Sequence, residues 1–513
     1  MSASHDRVTR EDIVMFINAC FACTGQREFY ADAAGQRVAI DFLHDYILGN
    51  YRLLYARSLA AGVNDFARAT GVVRLLASGR DTPPAHREEE GRLVAAALSS
   101  LPVQRAYKAI GALRERGVNN RRARAVVRDF LASRKDAAFE AVKYRGAVRA
   151  AVVHAHLPRP PSGEMGAFLF RGHEDRVFRT PLFESFRKAH FSDAAVYELP
   201  YTVAEGLAAR KGIARDVFLQ RIAPRLTAGE RLRLQDASER DLGARLSLDL
   251  GAAPLGKLAS YVVSLPLAER EARCSELRSA LETAAARAVS RTGARFGRVA
   301  AVLDRSYSAS GSSEKRRRPL AVALAASFFL RAASADYRAH WTLPVADELL
   351  VDARGPTNIA DPLIDALGSG ADLVVIVSDG YENDPPHGAG EVLRIWSAGD
   401  RASPRGAGEA SRDPNTQSLV PQSSGAPPFV VHLNPVFDAE GYAPRAFTPG
   451  GLAPGAAPPV PAMGLRDAED LPTMIAFSRF ARGDAPLSDL LDYLSFRSRR
   501  FVEAMERRRG VSS

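Results

Sequence analysis

The chain has 513 residues, of which 46% are hydrophobic and 25% are charged. These proportions are typical of a globular protein and exclude a wholly disordered chain, a collagen-like fibre and a disulfide-dense secreted module. At about 150 residues per domain, the length predicts two to four domains. Three cysteines argue against a disulfide framework. The longest apolar run is too short to cross a bilayer and the N-terminus has no apolar signal-peptide core, so we expect a cytoplasmic protein.

The positive charge is concentrated in one tenth of the chain. The net charge is +10, and residues 101–150 contain thirteen basic and four acidic residues, which is nearly the whole excess. A cationic segment of this kind favours a polyanionic partner. The alternative is an arginine-rich composition of the kind that a high-GC genome produces.

Helical patterns dominate up to residue 295. Apolar residues recur at three- and four-residue spacing, and turn residues such as Gly62 separate the segments. Because many helices follow one another with almost no alternating strand pattern, we predict an α-solenoid, although no strict sequence repeat is present. The predicted helices cover 11–20, 33–49, 50–61, 63–78, 87–99, 104–116, 120–133, 136–154, 203–211, 213–226 and 269–290.

Apolar strands alternate with helices after residue 295. This pattern predicts a parallel sheet with helices on both faces, in which ligands bind beyond the carboxyl ends of the strands. Two stretches rich in Gly and Pro, 398–428 and 441–461, are expected to be mobile insertions. The predicted strands cover 298–303, 337–342, 373–378 and 429–433, and the predicted helices begin near 319, 358 and 487.

Oxygen-bearing side chains follow two of these strands and precede one of the helices. Asp304, Ser306 and Ser308 form a D-x-S-x-S pattern directly after the first strand. Thr357 stands just before a helix, and Asp379 follows a later strand. Two carboxylates and three hydroxyls at one sheet edge suit Mg²⁺, or another divalent cation that prefers oxygen ligands.

This arrangement resembles the metal-ion-dependent adhesion site of the von Willebrand factor A domain, over roughly residues 296–510. The resemblance implies that Ser306, Ser308 and Thr357 contact the metal directly or nearly so. It implies that the two aspartates act mostly through bound water, and that the open metal position takes a carboxylate from a partner. No nucleophile–base pair accompanies the motif, so we expect no enzyme activity. The alternative is a fold of this type that keeps the residues only as caps and loop hydrogen bonds.

Four basic residues, Lys315 to Arg318, stand between the metal motif and the helix predicted near 319. Cations at a helix N-terminus oppose the helix dipole, at a cost of about 0.3–1 kcal/mol each. Their placement therefore needs a reason. A polyanion or an acidic partner near the metal face would supply one, and a solvated run is the alternative.

A second resemblance lies in the helical half. The run FINACFACTG at 16–25, followed by EFY at 28–30, is similar to the opening of the TROVE module, which belongs to Ro-type autoantigens and their bacterial relatives. In that family a ring of HEAT-like helix pairs precedes a von Willebrand A domain. The same order is predicted here.

A basic element of that family has a counterpart in this chain. Lys143-Tyr144-Arg145, with Arg149 and the H-L pair that begins at His156, resembles the family's basic K-Y…H-L element. The resemblance implies that Lys143, Arg145, Arg149 and His156 contact small RNA.

An arginine stripe adds further candidates for RNA binding. On the predicted helix 120–133, Arg121, Arg124 and Arg128 are spaced at i, i+3 and i+7, with Arg122 beside them. Guanidinium groups bind phosphates bidentately and stack on exposed bases. The alternative is a solvated helix face.

Together these observations predict a HEAT-like helical domain of the TROVE type at 1–290 and a von Willebrand A-like domain at 296–513. We expect a monomeric, non-catalytic ribonucleoprotein scaffold for small non-coding or misfolded RNA, with Mg²⁺ in the second domain and no membrane contact. A nuclease or an acidic protein at the metal site is an expected further partner. The alternative is a protein–protein interaction module whose metal site grips an acidic partner, such as a chaperone-like ATPase or a defence-system component.

Overall fold

The structure is a computed structural model that describes residues 3–24, 33–157, 163–171, 177–235, 249–401, 427–436, 446–447 and 460–509, with single residues at 238, 241, 243 and 246. The chain forms two compact units. The first comprises Met1–Asn50 and Leu250–Tyr493, and the second comprises Tyr51–Asp249 and Leu494–Ser513. The predicted domain limits of 1–290 and 296–513 stay a prediction, but both compact units are built from separate stretches of the chain.

The described helices are numbered in chain order. They are α1 (Ala3–Ala22), α2 (Ala33–Asn50), α3 (Arg52–Ser58), α4 (Asp65–Ala77), α5 (Arg87–Ser100), α6 (Val103–Glu115), α7 (Arg121–Ala132), α8 (Ala137–Lys143), α9 (Arg145–His154), α10 (Glu164–Phe170), α11 (Pro181–Ala189), α12 (Asp193–Val196), α13 (Tyr201–Arg210), α14 (Arg215–Ile222), α15 (Ala228–Arg233), α16 (Leu255–Ser264), α17 (Leu267–Ala272), α18 (Cys274–Thr292), α19 (Arg318–Ala333), α20 (Ala360–Gly368), α21 (Gly388–Arg401), α22 (Leu471–Arg482) and α23 (Leu487–Arg509). None of these described helices combines the length and the apolar content that crossing a membrane requires.

The first unit contains one sheet with the strand order β2-β1-β3-β4-β6-β5. The first five strands in this order run parallel, and only the short β5 pairs antiparallel. The fold class expected from the sequence, a helical part and a doubly wound, mostly parallel sheet, is therefore confirmed. The strands are β1 (Phe296–Leu303), β2 (Ser334–Trp341), β3 (Leu373–Val377), β4 (Phe429–Asn434), β5 (Ala446–Phe447) and β6 (Val460–Gly464).

Both faces of this sheet are covered, which explains the unbroken apolar runs. Ala300 and Val302 of β1 pack in one core cluster with residues of β3, α20 and α21. The alternate β1 residues Ala301 and Leu303 are just as deeply buried on the opposite face. A parallel sheet buried on both sides has no solvated face on which polar residues could alternate.

The N-terminal helix α1 packs against strand β6 in the same unit. The carboxamide of Asn18 donates to the carbonyl of Ala462 at 3.1 Å and accepts the Gly464 N–H at 2.9 Å. The side chain is fully buried, so it satisfies two backbone groups of β6 that water cannot reach. This contact accounts for the assignment of residues 1–50 to the unit that holds the sheet.

The second unit is made of packed helices, in which α4 contacts α5 and α6, and α9 contacts α6 and α7. Asparagine caps begin two of them: Asn64 accepts the Ala67 N–H and Asn120 accepts the Ala123 N–H. Buried Glu90 accepts bonds from Arg52 and Arg122, so a charged network ties α5 to α3 and α7.

Several predicted elements differ in extent. The helix predicted at 136–154 is divided at Tyr144 into α8 and α9, and the one at 269–290 is divided at Arg273 into α17 and α18. Strand β6 begins inside the insertion predicted at 441–461, and α22 was not predicted. Most of the two predicted insertions, and the 25–30 part of the TROVE-like opening, lie outside the described residues.

Candidate metal centre and basic surface

Two neighbouring strands deliver the predicted carboxylates to one edge of the sheet. Strands β1 and β3 pair in parallel, with Leu303 opposite Val377. Asp304 follows β1 directly, and Ser378-Asp379 follows β3. The sheet therefore places the two candidate acids side by side at its carboxyl edge, where open α/β sheets bind ligands.

Asp304 is held by hydrogen bonds at both of its carboxylate oxygens. Its Oδ1 accepts the Ser306 N–H at 2.8 Å, and its Oδ2 accepts the Ser378 hydroxyl at 2.8 Å. Burial and the nearby carboxylate of Asp379 raise the pKa of Asp304 to about 6. The site thus concentrates negative charge where water is excluded, and a cation there would lower the cost of that charge.

The hydroxyl-bearing loop lies against the loop that carries Thr357. The hydroxyl oxygens of Ser306 and Ser308 are 3.2 Å apart. The Tyr307 N–H donates to the Gly355 carbonyl at 3.1 Å, two residues before Thr357. The two loops are therefore joined through the backbone, independently of any ion.

Thr357 is also held by the loop after β3, which carries Asp379. Its N–H donates to Oδ1 of Asn383 at 2.8 Å, and its carbonyl accepts the N–H groups of Asn383 and Asp384, each at 3.3 Å. The side chain is buried. The loops after β1, before α20 and after β3 therefore converge on one place, as the spacing of the five candidate ligands predicts.

Two side chains of β4 hold the backbone of the turn that carries Asp379. The Asp379 carbonyl accepts the side-chain amide of Asn434, and the His432 ring nitrogen Nε2 lies 2.9 Å from the Ser378 carbonyl. Gly380 has a φ of +80°, and a Cβ there would lie 2.8 Å from the His432 ring. Only glycine fits this turn without displacing the histidine.

Sequence reasoning missed these supporting residues. Thr342 accepts the Arg305 N–H at 3.1 Å and stands directly after β2, while Asn434 ends β4. Glu382, whose carboxylate accepts the Ala389 N–H at the start of α21, has a pKa raised to about 6 by burial. A polar residue stands at the carboxyl end of four of the five parallel strands, β1 to β4, and this is the signal that could have identified Thr342 and Asn434.

The donor set fits a hard divalent cation. It consists of oxygen atoms alone, two carboxylates and three hydroxyls, which suits Mg²⁺ with retained water ligands. Within the described ranges, no group of three or more His, Cys, Asp or Glu side chains has the arrangement of a metal site. A zinc-type centre of nitrogen and sulfur ligands is therefore not seen in that part of the chain.

Most of the basic run 315–318 has structural contacts. Lys315 Nζ lies 3.4 Å from the Thr24 hydroxyl, Arg317 donates to the Val263 carbonyl at 2.7 Å, and Arg318 donates to the Pro435 carbonyl at 2.9 Å. Arg316 is exposed. The positions of three of these cations are thus explained by contacts with neighbouring loops of the same unit.

In the second unit, three of the eight RNA-binding candidates make extensive internal contacts. Arg122 pairs with buried Glu90 at 2.7 Å. Lys143 lies 3.6 Å from the carboxylate of Glu230. Arg145 donates twice to the Phe168 carbonyl, and burial lowers its pKa.

The ends of α7 and α9 meet beside the remaining candidates. Arg128 donates to the Ala155 carbonyl at 2.9 Å, and the Asn119 side chain lies 2.9 Å from Nε2 of His156. Four of these candidates have exposed side chains, and Arg124 is half-buried. Arg128 and His156 lie where the two helix ends meet, Arg121 begins α7, and Arg149 lies within α9, over the ring of Phe170. We call these four the basic surface; they are Arg121, Arg128, Arg149 and His156.

No protein-family model matches this chain, and no curated protein matches it. Among solved structures, the crystal structure of the Deinococcus radiodurans Ro (RSR) protein is similar to it. The likeness covers 93% of this chain and 100% of that chain, at 14% sequence identity and a TM-score of 0.38. The assignment of residue roles therefore rests on this chain's own geometry.

Proposed function

We propose that this protein is a non-catalytic scaffold that binds small structured RNA through the basic surface of its helical unit. The observation that carries the proposal is the exposure of Arg121 and Arg128 on α7, Arg149 on α9 and His156 just after α9, where Arg128 and Asn119 join the ends of the two helices. Exposed guanidinium groups bind phosphates and stack on unpaired bases. The segment 101–150 supplies the surrounding positive potential.

The exposed residues are the ones to mutate in a test. Arg122 and Arg145 are fixed by Glu90 and the Phe168 carbonyl, so replacing them would disturb the fold. The variant that tests RNA binding with less risk to the fold is the triple change Arg121→Ala, Arg128→Ala and Arg149→Ala. Its matched control is Arg210→Ala, Arg221→Ala and Arg225→Ala, three exposed arginines on other helices of the same unit.

The experiment is native purification followed by extraction and sequencing of bound nucleic acid, for wild type and both triple variants. We expect a discrete small RNA with the wild type and the control, and its loss from the basic-surface variant. Affinity measured at several salt concentrations should fall linearly on a log–log plot, with a shallower slope for that variant. Equal RNA recovery from both triple variants would contradict this assignment of the surface.

We also propose that the five oxygen-bearing residues bind Mg²⁺, or another divalent cation. Ser306, Ser308 and Thr357 would hold the ion directly, and Asp304 and Asp379 through bound water. The convergence of three loops on one buried, negatively charged place supports this. When bound, the cation would supply an open coordination position for an anionic group of a partner.

Isothermal titration of the metal-free protein with Mg²⁺ and Mn²⁺ tests the site. Asp379→Ala should abolish the binding heat, whereas Asp372→Ala, at an exposed ion pair with Arg298, should leave it intact. Equal heats for both variants would refute the assignment.

An acidic protein partner at the metal is the second candidate function. It is favoured by Tyr307, which is 71% exposed within the metal loop although Ser306 before it is buried and Ser308 after it is half-buried. Chelator separates the two functions: it should abolish metal-mediated protein binding and leave the salt-sensitive RNA binding in place.

A further inference from the structure

Arg270 of α17 is a buried arginine that binds only backbone carbonyls. Its side chain is 3% exposed. Its guanidinium donates to Leu265 at 2.9 Å, Val263 at 3.3 Å, Leu349 at 3.2 Å and Val351 at 2.6 Å. Burial and the nearby charge of Arg317 lower its pKa, and the carboxylate of Asp352 offsets only part of this. A buried cation whose hydrogen bonds go to backbone carbonyls is costly, so its donors hold those carbonyls in place at the expense of stability.

Two of those carbonyls belong to the segment that leads to Thr357. Leu349 and Val351 stand between β2 and α20, and the next carbonyl, that of Asp352, accepts Nε of Arg305 at 3.2 Å. Arg305 is 1% exposed and lies inside the D-x-S-x-S motif. Arg270 therefore holds the 349–352 segment on one side while Arg305 holds it to the metal loop on the other.

A second connection joins the same helices to the metal loop. The Val263 carbonyl, near the end of α16, accepts bonds from both Arg270 and Arg317. The backbone N–H of Arg317 donates to the Ser310 carbonyl at 2.6 Å, two residues after Ser308. The end of α16 is thus linked to the loop that carries Ser306 and Ser308 as well as to the loop that carries Thr357.

We propose that Arg270 is a positioning residue of the metal site, and that it couples cation binding to the order of α16 and α17. The proposal rests on the metal binding proposed above. Residues beyond the ligands orient them, and their loss typically weakens metal binding about 10- to 100-fold. Because coupling is reciprocal, a cation that stabilises the 349–357 segment must also stabilise the helices that Arg270 attaches to it.

The first test compares Arg270→Met with Arg273→Met in the full chain, by titration of each metal-free protein with Mg²⁺. Arg273 lies three residues away and pairs with Glu269 and Glu276, so it is a matched arginine with no bond to either metal loop. We expect Mg²⁺ to bind Arg270→Met about 10-fold more weakly than wild type, and Arg273→Met to bind as wild type does. Equal affinities for all three proteins would overturn the positioning role and leave the metal site standing.

The second test uses the wild type alone, so that it does not depend on a variant that folds. Hydrogen exchange of backbone amides is measured with Mg²⁺ and with chelator. We expect Mg²⁺ to slow exchange at 349–357 and also at 255–272, with no change at 201–222 of the helical unit. Protection at 349–357 without protection at 255–272 would overturn the coupling. Absence of any Mg²⁺ binding by the wild type would instead overturn the proposed metal site, and this inference with it.

Discussion

The Ser378 hydroxyl donates to Oδ2 of Asp304 at 2.8 Å, so the ends of two adjacent parallel strands are joined by one side-chain bond. The Ser306 N–H occupies the other carboxylate oxygen at 2.8 Å. Asp304 is therefore held in one orientation by the protein itself. A cation that enters this site has little loop rearrangement to drive, which favours affinity.

The contribution of Asp304 to the stability of the metal-free protein should fall as the pH rises through the pKa of this group. That pKa is raised from 3.8 to about 6 in the folded state, so the folded protein binds this proton more tightly than the unfolded chain does. The stabilisation is complete below about pH 4 and is lost by about pH 7, a fall of about 3 kcal/mol in the free energy of unfolding. Urea titrations in chelator across this range measure it.

The control for this pH effect is Asp304→Asn, which carries no titrating proton. Burial lowers the pKa of His432 to about 4, so the contribution of that group to stability rises with pH over the same interval in both proteins. The Asp304 effect is therefore the stability of wild type minus that of Asp304→Asn, and this difference should fall as the pH rises. Glu382, whose pKa is also raised to about 6, remains in the variant and keeps part of the slope. Identical pH profiles for wild type and Asp304→Asn would contradict the prediction.

Saturating Mg²⁺ should stabilise the protein, because the proposed site is assembled only in the folded state. At 100 times its dissociation constant the expected gain is about 2.7 kcal/mol, and chelator should reverse it. Thr357→Ala should reduce the gain, since it removes one ligand oxygen. Thr473→Ala is the comparison, because Thr473 is equally buried but lies near Tyr493 instead. Melting curves with and without Mg²⁺ report the gain, and an equal gain in both variants would exclude Thr357 as a ligand.

Neighbouring arginines on α7 should have opposite roles. Arg122→Ala should lower the free energy of unfolding by about 1–3 kcal/mol, because Glu90 is 1% exposed and would lose one of its charged partners. Arg121→Ala should leave stability unchanged and reduce the salt slope of RNA binding by about 1. Chemical denaturation and filter binding on both variants separate the two effects. A loss of stability in Arg121→Ala would show that it too has a structural role.

Asn18→Ala should destabilise the first unit. The change leaves the Ala462 carbonyl and the Gly464 N–H buried without their partner, a cost of about 1–3 kcal/mol. Asn50→Ala provides the comparison, because Asn50 is exposed and makes one local bond to the Tyr46 carbonyl. The two variants are compared by urea unfolding, and equal stabilities would contradict the role assigned to Asn18.

The local part of the candidate site could be predicted from the sequence, and its long-range support could not. Asp304 and Asp379 follow unbroken apolar strands, and parallel strands bring such ends to one edge whatever their separation in sequence. Arg270 and Arg305 gave no signal, because an arginine in sequence is read as a surface residue. Their burial depends on carbonyls of the 349–352 segment, which only the folded chain brings to them.

The same distinction holds for the fold: its local elements could be predicted from the sequence, and its long-range contacts could not. Helical spacing identifies most helices, but the Pro, Gly and Ala content of 441–461 predicts a loop there, and strand β6 begins inside it with Val460 and Pro461. That proline does not interrupt the ladder to β4, which begins at Ala462. The membership of α1 in the sheet-containing unit depends on Asn18 and on contacts with α22, such as that of Phe21 with Phe477, which no periodicity reveals.

The bond between Asn18 and Gly464 spans 446 positions of the chain, which sets an order for folding during synthesis. At about 5–20 residues per second, the ribosome delivers the partner of Asn18 about 20–90 s after Asn18 itself. Helix α1 is therefore among the first segments made and among the last to reach its final environment. Over that interval the face of α1 that carries Asn18 is without the strand it will cover, and this is where a nascent chain of this protein would most need protection by a chaperone.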